Sequence, residues 1–250
     1  MPSSANDPGP RAVDRHVLVV ADGDVPDRAA LDAAWPGWSD GVATVVAADG
    51  GLVRTIALGV AADVLVGDLD SVAEEDVDRA VAAGIEVLRA PIDKDESDTE
   101  LALLEAVRRG ATRVTVLGAF GGPRLDHALA NVWLLAHPAV AGIDVALLDA
   151  QSRARMVTAP TTGGDAVERR LPGRIGGLVS LLPLGGDAHG VTTRGLRYPL
   201  HDEPLLVGPA RGLSNVRTSS DASVSLRDGR LLVLETAAGS AAPGRAILDQ

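Results

Sequence analysis

The chain has 250 residues, and 34 acidic against 23 basic side chains give it a formal net charge of −11. It contains no cysteine, and Lys94 is its single lysine. These counts exclude disulfides, thiolate catalysis and cysteine-bound zinc, and the context Asp93-Lys94-Asp95 excludes a Walker-A phosphate loop. An acidic chain with five aromatic residues also lacks the basic face and stacking surfaces of nucleic-acid-binding proteins.

Length and hydropathy predict one large or two small domains with an aliphatic core. No apolar run approaches the roughly 18 residues of a membrane span, and the first 15 residues contain no apolar signal-peptide region. The lack of cysteine is typical of a reducing compartment. We therefore expect a cytoplasmic protein with neither a nucleic-acid nor a membrane partner.

The first part of the chain alternates short apolar runs with Ala/Leu-rich segments of helical length. The predicted strands are 16–21, 43–48, 63–66, 85–88, 112–117 and 143–148. The predicted helices are 28–34, 74–83, 98–109 and 125–136, with Gly84 and Gly110 at helix ends. Near-continuous apolar strands alternating with helices predict an α/β domain over residues 12–149 with a mostly parallel sheet.

The helical spacing disappears after residue 150. Short runs at 178–184, 188–193, 205–207, 224–226 and 231–234 are separated by Gly, Pro and Asp turns. The segment Arg227-Asp228-Gly229-Arg230 predicts a hairpin between two strands. We therefore expect a smaller all-β domain, of sandwich or barrel type, over residues 150–240, with flexible tails at 1–11 and 241–250.

Four loops after predicted parallel strands carry acidic or glycine-rich segments. They are 48–51, 67–71, 93–98 and 118–127, and Arg54 follows the first of them. Ligands of open α/β sheets bind beyond the carboxyl ends of the strands, where these loops would meet. The four loops therefore predict a binding site at one edge of the sheet.

Each of these segments also has a purely structural interpretation. Asp49 with its glycines could form only a tight turn, and Asp68 and Asp70 could cap the next helix. Ser97 matches the first position of a capping box, and Asp126 would be favourable in a first helical turn. Taken singly, each motif is weak evidence for a site.

Taken together, the acidic side chains predict a cation site. Asp68 and Asp70 are two residues apart, so an extended backbone would place both carboxylates on one side. Adding Asp98, with Asp126 as a further candidate, makes a cluster whose repulsion a cation would relieve. Carboxylates suit Mg²⁺, which usually bridges to substrate phosphates, and phosphoryl-type transfer follows as the reaction class. The basic side chains of Arg54, Lys94 and Arg124 could contact phosphate, and so could the backbone amides of the glycine turns.

Six segments match, in order, the motifs of bacterial members of one known family. They are A-D-G-G at 48–51, G-D-x-D-S at 67–71, K-D-x-[S/T]-D-x-E-x-A-L at 94–103, G-G-R-x-D-H at 121–127, V-T-T-x-G-L-x-Y-x-L at 191–200 and S-N at 214–215. On these residues the chain resembles the thiamine pyrophosphokinase (thiamine diphosphokinase) family over residues 17–235. Three departures are an inserted Pro123, Val216 where an acidic residue is often found, and Ser97 for threonine.

The resemblance implies an N-terminal ATP-binding catalytic domain and a C-terminal β domain for thiamine binding and dimerisation. It implies a homodimer whose thiamine sites lie between subunits, with Mg²⁺ as cofactor. It also implies transfer of the β,γ-pyrophosphoryl group of ATP to the hydroxyethyl oxygen of thiamine, which yields thiamine diphosphate and AMP. Two alternatives are the same chemistry on another alcohol, such as a hydroxymethylpterin, and a non-catalytic nucleotide- or thiamine-binding regulator.

The resemblance and the local charges together nominate the site residues. The candidate catalytic residues are Asp70, Asp98, Arg124 and Asp126, with Asp98 or Asp126 as the proton acceptor. The candidate Mg²⁺ ligands are Asp68, Asp70 and Asp98. The candidate ATP contacts are Asp49, Gly50, Gly51, Arg54, Asp68, Lys94 and Asp95. The candidate thiamine contacts are Ser97, Asp98, Ser214 and Asn215. For Lys94, the alternative to a phosphate contact is a solvated lysine at a helix entry.

Overall fold

The computed structural model describes residues 14–160 and 165–237. The strands of the first half are β1 His16–Val20, β2 Val42–Ala48, β3 Val64–Gly67, β4 Glu86–Arg89, β5 Arg113–Leu117 and β6 Asp144–Leu148. The helices are α1 Arg28–Ala34, α2 Gly51–Ala57, α3 Glu74–Ala82, α4 Asp98–Arg108 and α5 Leu125–Leu134, followed by a short 3-10 turn at Pro138–Val140. Among the described residues, no helix is long and apolar enough to cross a membrane.

The six strands of the first half form the predicted parallel sheet, in the order β6-β5-β1-β2-β3-β4. Their apolar side chains pack against the helices, and α4 lies over β1, β2 and β3. The predicted capping residue Ser97 accepts a hydrogen bond from the Glu100 amide at 3.2 Å. Gly84 and Gly110 follow α3 and α4 with positive φ, as predicted.

The sequence does not predict α2. Gly50 and Gly51 have the composition of a turn, yet Gly51 is the first residue of this helix. A Cβ atom on Gly51 would lie 2.0 Å from the carbonyl oxygen of Val20, so only glycine lets the helix start so close to β1. The glycine therefore reflects a contact with a strand distant in sequence.

The second half contains eight strands. They are β7 Ser152–Thr158, β8 Val167–Pro172, β9 Leu178–Pro183, β10 Ala188–Arg194, β11 Glu203–Leu205, β12 Asn215–Val216, β13 Asp221–Leu226 and β14 Arg230–Thr236. Four of them extend the first sheet, because β7 pairs antiparallel with β6 and is followed in the sheet by β14, β9 and β12. The other four form a second sheet in the order β11-β10-β13-β8.

An aliphatic core between the two sheets makes the second half a sandwich. The predicted fold class, an α/β part followed by an all-β part, is confirmed. The position 149/150, where we propose the domain boundary, falls in the turn between β6 and β7, within one continuous ten-stranded sheet. The proposed tails at 1–11 and 241–250 lie outside the described residues.

The predicted hairpin at 227–230 is wrong. β13 and β14 flank this segment but belong to different sheets, β13 pairing with β8 and β10 and β14 with β7 and β9. Leu226 and Leu231, on either side of the turn, are both fully buried in the core between the sheets. The chain crosses from one sheet to the other here because both apolar faces must reach that core.

Candidate functional site

Three carboxylates meet at the carboxyl edge of β2 and β3. Asp49 follows β2, Asp68 and Asp70 follow β3, and one oxygen from each lies within 4.8 Å of the others. Asp49 is buried, Asp68 is half-buried and Asp70 is exposed. We call these three residues the acidic cluster, which is open to solvent on one side.

The backbone brings the acidic cluster together by tight turns. The extended backbone that the spacing of Asp68 and Asp70 predicts is wrong, because Leu69 adopts φ +65° and its side chain is buried in the core. Asp49 is also left-handed, with φ +47°. Such conformations cost non-glycine residues about 1–3 kcal/mol and are concentrated at functional sites.

Gly67 allows two acidic side chains to approach each other. A Cβ atom at this position would lie 3.1 Å from the Asp49 Cβ and 3.0 Å from Asp98 Oδ1. Its φ of +151° is also one that other residues rarely adopt. The glycine of the G-D-x-D-S motif is therefore required by both space and conformation.

Lys94 links the acidic cluster to Asp98. Its Nζ lies 2.5 Å from Asp68 Oδ2 and 3.1 Å from Asp98 Oδ1. Burial disfavours the charge on Lys94, but its hydrogen bond to Asp68 and its ion pair with Asp98 outweigh burial and raise the pKa of Lys94. The same contact lowers the pKa of Asp68. Only 10% of the Lys94 side chain is exposed, so the alternative of a solvated lysine is wrong.

The acidic cluster fits a hard divalent cation such as Mg²⁺. Asp49 Oδ1 is buried and has no hydrogen-bond partner among the described residues, which is costly for a carboxylate unless an ion binds it. Burial and the nearby charges of Asp98 and Asp70 raise the pKa of Asp49. A cation would relieve both penalties, and carboxylate oxygens are the ligands that Mg²⁺ prefers. Asp98, a predicted ligand, is not one of these three residues, and its Oδ1 lies 3.1 Å from Lys94 Nζ.

The loop after β5 places Arg124 and Asp126 at the surface. Arg124 Nε donates to Asp126 Oδ1 at 3.0 Å, and its Nη2 contacts the other carboxylate oxygen. This hydrogen bonding holds the pKa of Asp126 well below its usual range. Within the described residues Asp126 is not part of the acidic cluster. The loop that includes Pro123 therefore directs Arg124 toward Asp126 in this conformation.

Two further carboxylates at this edge, Asp22 and Asp24, are not predicted from the sequence. Arg54 Nε lies 3.5 Å from Asp22 Oδ1, and a Cβ on Gly50 would lie 2.5 Å from the Asp22 carboxyl carbon. Asp24 Oδ2 accepts a hydrogen bond from the Gly122 amide at 3.1 Å. The sequence does contain a signal for them, because Asp-Gly-Asp directly follows the first predicted strand. The other acidic loops follow predicted strands in the same way.

The remaining candidates of the first half lie in the loop before α4. Ser97 caps α4 through its side chain, so its hydroxyl already accepts a backbone hydrogen bond. Asp95 is exposed two residues before it. The predicted roles of these two residues stay predictions.

Ser214 and Asn215 lie far from the acidic cluster in the same chain. β12, which begins at Asn215, is eight strands away from β3 in the ten-stranded sheet. At about 4.8 Å between neighbouring strands, that separation is roughly 38 Å. Asn215 is buried and holds the backbone of Tyr198 through both its Oδ1 and its Nδ2. Ser214 is exposed beside it with φ +56°.

Two models of one protein family match the chain. The model described as "Thiamin pyrophosphokinase, catalytic domain" matches residues 38–147, and "Thiamin pyrophosphokinase, vitamin B1 binding domain" matches residues 169–231. A curated relative, "Thiamine pyrophosphokinase" of Bacillus subtilis (strain 168), is 27% identical over 200 residues, which cover 80% of this chain and 90% of the relative.

Solved structures of proteins with the same name are similar to the chain. The crystal structure of thiamine pyrophosphokinase from Bacillus subtilis has a TM-score of 0.74 at 26% identity and covers 89% of this chain and 99% of its own. The crystal structure of yeast thiamin pyrophosphokinase has a TM-score of 0.72 and covers 92% of this chain and 88% of its own. At 14% identity, the yeast structure shows a shared fold alone.

Proposed function

This chain belongs to the thiamin pyrophosphokinase family and is an enzyme of that type, and on that premise we propose the finer chemistry of its reaction. The pyrophosphoryl group of ATP is transferred to the hydroxyethyl oxygen of thiamine, giving thiamine diphosphate and AMP. The observation that carries this proposal is the acidic cluster beside the buried Lys94, because phosphoryl-type transfer depends on positioning and on neutralising phosphate charge. A cytoplasmic location stays a prediction.

The acidic cluster would hold Mg²⁺ through Asp49, Asp68 and Asp70, and the bound cation would supply charge neutralisation for the triphosphate. Lys94 is placed to donate to a phosphate oxygen once it leaves one of its two carboxylates. The hydroxyl of thiamine must lose a proton as it attacks phosphorus. Arg124 holds the pKa of Asp126 low, which makes Asp126 a poor proton acceptor and favours Asp98 for this role.

We propose that the thiamine site is formed by two chains of a homodimer. Within one chain, Ser214 and Asn215 lie roughly 38 Å from the acidic cluster if strands are spaced about 4.8 Å apart, and thiamine is far shorter than that. If these residues contact the same thiamine whose hydroxyl reacts at the cluster, they must come from the partner subunit. A site between two copies satisfies both assignments.

Exposed apolar side chains support this homodimer. Leu125, Leu129 and Trp133 lie four residues apart on one face of α5, and all three are exposed. The second half of the chain carries a second set of exposed apolar side chains, with Leu213 next to Ser214 and with Tyr198, Leu206 and Val207 before it in sequence. Packing the first group on the second group of a partner would bring Ser214 toward the loop of Arg124 and Asp126.

The direct test is incubation of the purified protein with ATP, Mg²⁺ and thiamine. We expect AMP and thiamine diphosphate in equal amounts. Formation of ADP would contradict pyrophosphoryl transfer. Turnover with a hydroxymethylpterin but not with thiamine would favour the first alternative, and binding of thiamine or nucleotide without turnover would favour the regulator.

Replacing Lys94 with alanine is expected to raise the KM for ATP about 10- to 100-fold, since a hydrogen bond to a charged group contributes about 1.5–3 kcal/mol. Steady-state kinetics at saturating Mg²⁺ measure this, with Lys94→Arg as the control that keeps the charge. If Lys94 only neutralises Asp68 and Asp98, the alanine variant will instead bind Mg²⁺ more tightly and keep its KM for ATP.

Two inactive variants are expected to restore activity to each other when they are co-expressed. Asp70→Asn damages the acidic cluster, and Ser214→Arg blocks the opposite surface. Random pairing makes half of the dimers hybrid with one intact site each, so about a quarter of wild-type activity should return. Co-expression of Asp70→Asn with Asp68→Asn is the control, because both changes affect the same half-site. Recovery in the control as well, or in neither mixture, would contradict a shared site.

A further inference from the structure

A second concave site lies away from the acidic cluster. It is a cleft of about 820 Å³ lined by the first residues of β1 and β5, by residues of β6 and β7, by the end of α1 and by the segment that follows β8. Its volume falls within the range of about 300–1,000 Å³ that is usual for small-molecule sites. None of the residues nominated above for catalysis, cation, ATP or thiamine lines this cleft.

The cleft is basic although the chain is acidic. Five arginines line it: Arg113, Arg153, Arg155, Arg174 and Arg217. Asp144 is the acidic residue in the lining, and Arg169 already pairs with it. A local excess of positive charge in a chain of net charge −11 requires an explanation that the thiamine chemistry does not supply.

Three of these arginines share a single carboxylate. Arg153, Arg155 and Arg217 all contact Glu235, which is 1% exposed. The group therefore carries two positive charges more than its one acid balances. Burial lowers the pKa of Arg155 and of Arg217, in keeping with guanidinium groups that lack sufficient counter-charge.

Two guanidinium nitrogens of the lining lack acceptors. Arg155 Nε and Arg113 Nε are buried and have no hydrogen-bond partner in the part of the chain that the structure describes. Arg155 is 8% exposed, so more than nine-tenths of it is buried at the cleft. Buried donors without acceptors are costly. An anion bound in the cleft would accept hydrogen bonds from such donors and would offset the excess positive charge of the arginines.

Most of the remaining lining is apolar or aromatic, and His16, Thr115 and Thr236 are its other polar residues. Trp35 and Trp38 form one wall, and Arg153 stacks over the Trp35 ring at 4.8 Å. Ile175 also lines the cleft and is 62% exposed. A ligand that combines a phosphate group with a flat apolar body would match both parts of the cleft.

We propose that this arginine cleft is a second ligand site, which binds a small phosphorylated molecule with its phosphate at Arg155 and its apolar body against Trp35 and Trp38. The site is separate from the acidic cluster and does not depend on the function proposed for that cluster. Phosphate recognition by arginine needs no divalent cation, so binding should persist when Mg²⁺ is removed.

The test uses tryptophan fluorescence, because Trp35 and Trp38 are in the cleft and the third tryptophan, Trp133, is on α5. Trp133→Phe leaves the two reporters in place. In EDTA we expect a saturable change with phenyl phosphate and a weaker affinity for inorganic phosphate, which lacks the ring. Arg155→Gln should weaken phenyl phosphate binding about tenfold or more, since it removes a charge-assisted contact.

Two more variants keep the proposal falsifiable. Arg174→Gln changes an exposed cleft residue, so it should fold even if Arg155→Gln does not, and it should weaken binding severalfold. Arg170→Gln is the matched control, because Arg170 is exposed on β8 outside the cleft and should have no effect.

Each of several results would overturn the proposal. They are no saturable signal, equal affinity for the two phosphates, an equal effect of Arg170→Gln, and loss of the signal in Asp70→Asn. A fluorescence change that depends on protein concentration without any anion would also overturn it, because a second copy would then cover the cleft.

Discussion

Asp70→Asn is expected to lower kcat about a thousandfold, since losing about 4 kcal/mol of charge stabilisation has that effect on a rate. Asp70 is the exposed member of the acidic cluster, and its oxygen lies within 4.8 Å of those of Asp49 and Asp68. The amide keeps the shape of the side chain but removes its negative charge. Initial rates of AMP formation at saturating ATP and Mg²⁺ measure the effect.

The matched control is Asp78→Asn, which makes the same charge change on the exposed face of α3, the helix that follows the loop of Asp70. Its rate should stay close to that of the wild type. In EDTA neither variant should unfold at a lower temperature than the wild type, because both side chains are exposed and the loss of the Asp70 charge relieves repulsion in the acidic cluster. Full activity of Asp70→Asn would contradict the assignment of the acidic cluster to catalysis.

Glu235→Gln is expected to lower the free energy of unfolding by about 3–5 kcal/mol, which is typical of breaking a buried ion pair from one side. Glu235 on β14 receives Arg153 and Arg155 from β7 and Arg217 from beyond β12. Arg217 Nε also donates to the Leu171 carbonyl of β8 at 3.1 Å, so the group joins the two sheets. The loss is large against a typical total of about 5–15 kcal/mol.

Chemical denaturation at neutral pH measures this loss, and Glu203→Gln is the control. Glu203 pairs with Arg211 at 3.2 Å with both side chains exposed, so its removal should cost about 0–1 kcal/mol. Equal stability of Glu235→Gln and wild type would contradict a stabilising role for the buried group.

The stability that Glu235 contributes should be lost at acidic pH. Burial alone would raise the pKa of Glu235, but the arginines outweigh burial and lower it below the ordinary value of 4.5. The stability that ionised Glu235 contributes is therefore fully present above pH 4.5 and is lost as pH falls through the lower folded-state pKa. The difference in the free energy of unfolding between the wild type and Glu235→Gln should decrease in that acidic range and stay constant above it.

Local sequence patterns were sufficient for most elements of the first half. The apolar run at 16–21 predicts β1, because a strand buried on both faces is apolar throughout. Ser97 predicts the start of α4, because a helix cap is formed by residues close in sequence. The pattern was insufficient for α2, whose glycine is required by contact with Val20. It was also insufficient at 227–230, where a turn signal does not say which strands pair.

The site was predictable in part for the same reason. Asp68 and Asp70 belong to one loop, so their proximity follows from local sequence, although the left-handed Leu69 between them does not. Asp49 joins them because β2 and β3 are neighbours in the sheet. The bond of Lys94 to Asp68 joins residues 26 positions apart and needs the loops after β3 and β4 to meet.

Side-chain periodicity and local backbone preference predict the strands of the parallel sheet, four of its five helices and the acidic loops that follow the strands, but they do not predict α2, β7, β8 or β12. The order of strands in the sheet is visible in the three-dimensional structure alone. That order brings Asp49 to Asp68, places Ser214 eight strands away from them, and gathers three arginines around Glu235. Strand pairing is set by burial of whole sheet faces across long sequence separations, which no local pattern contains.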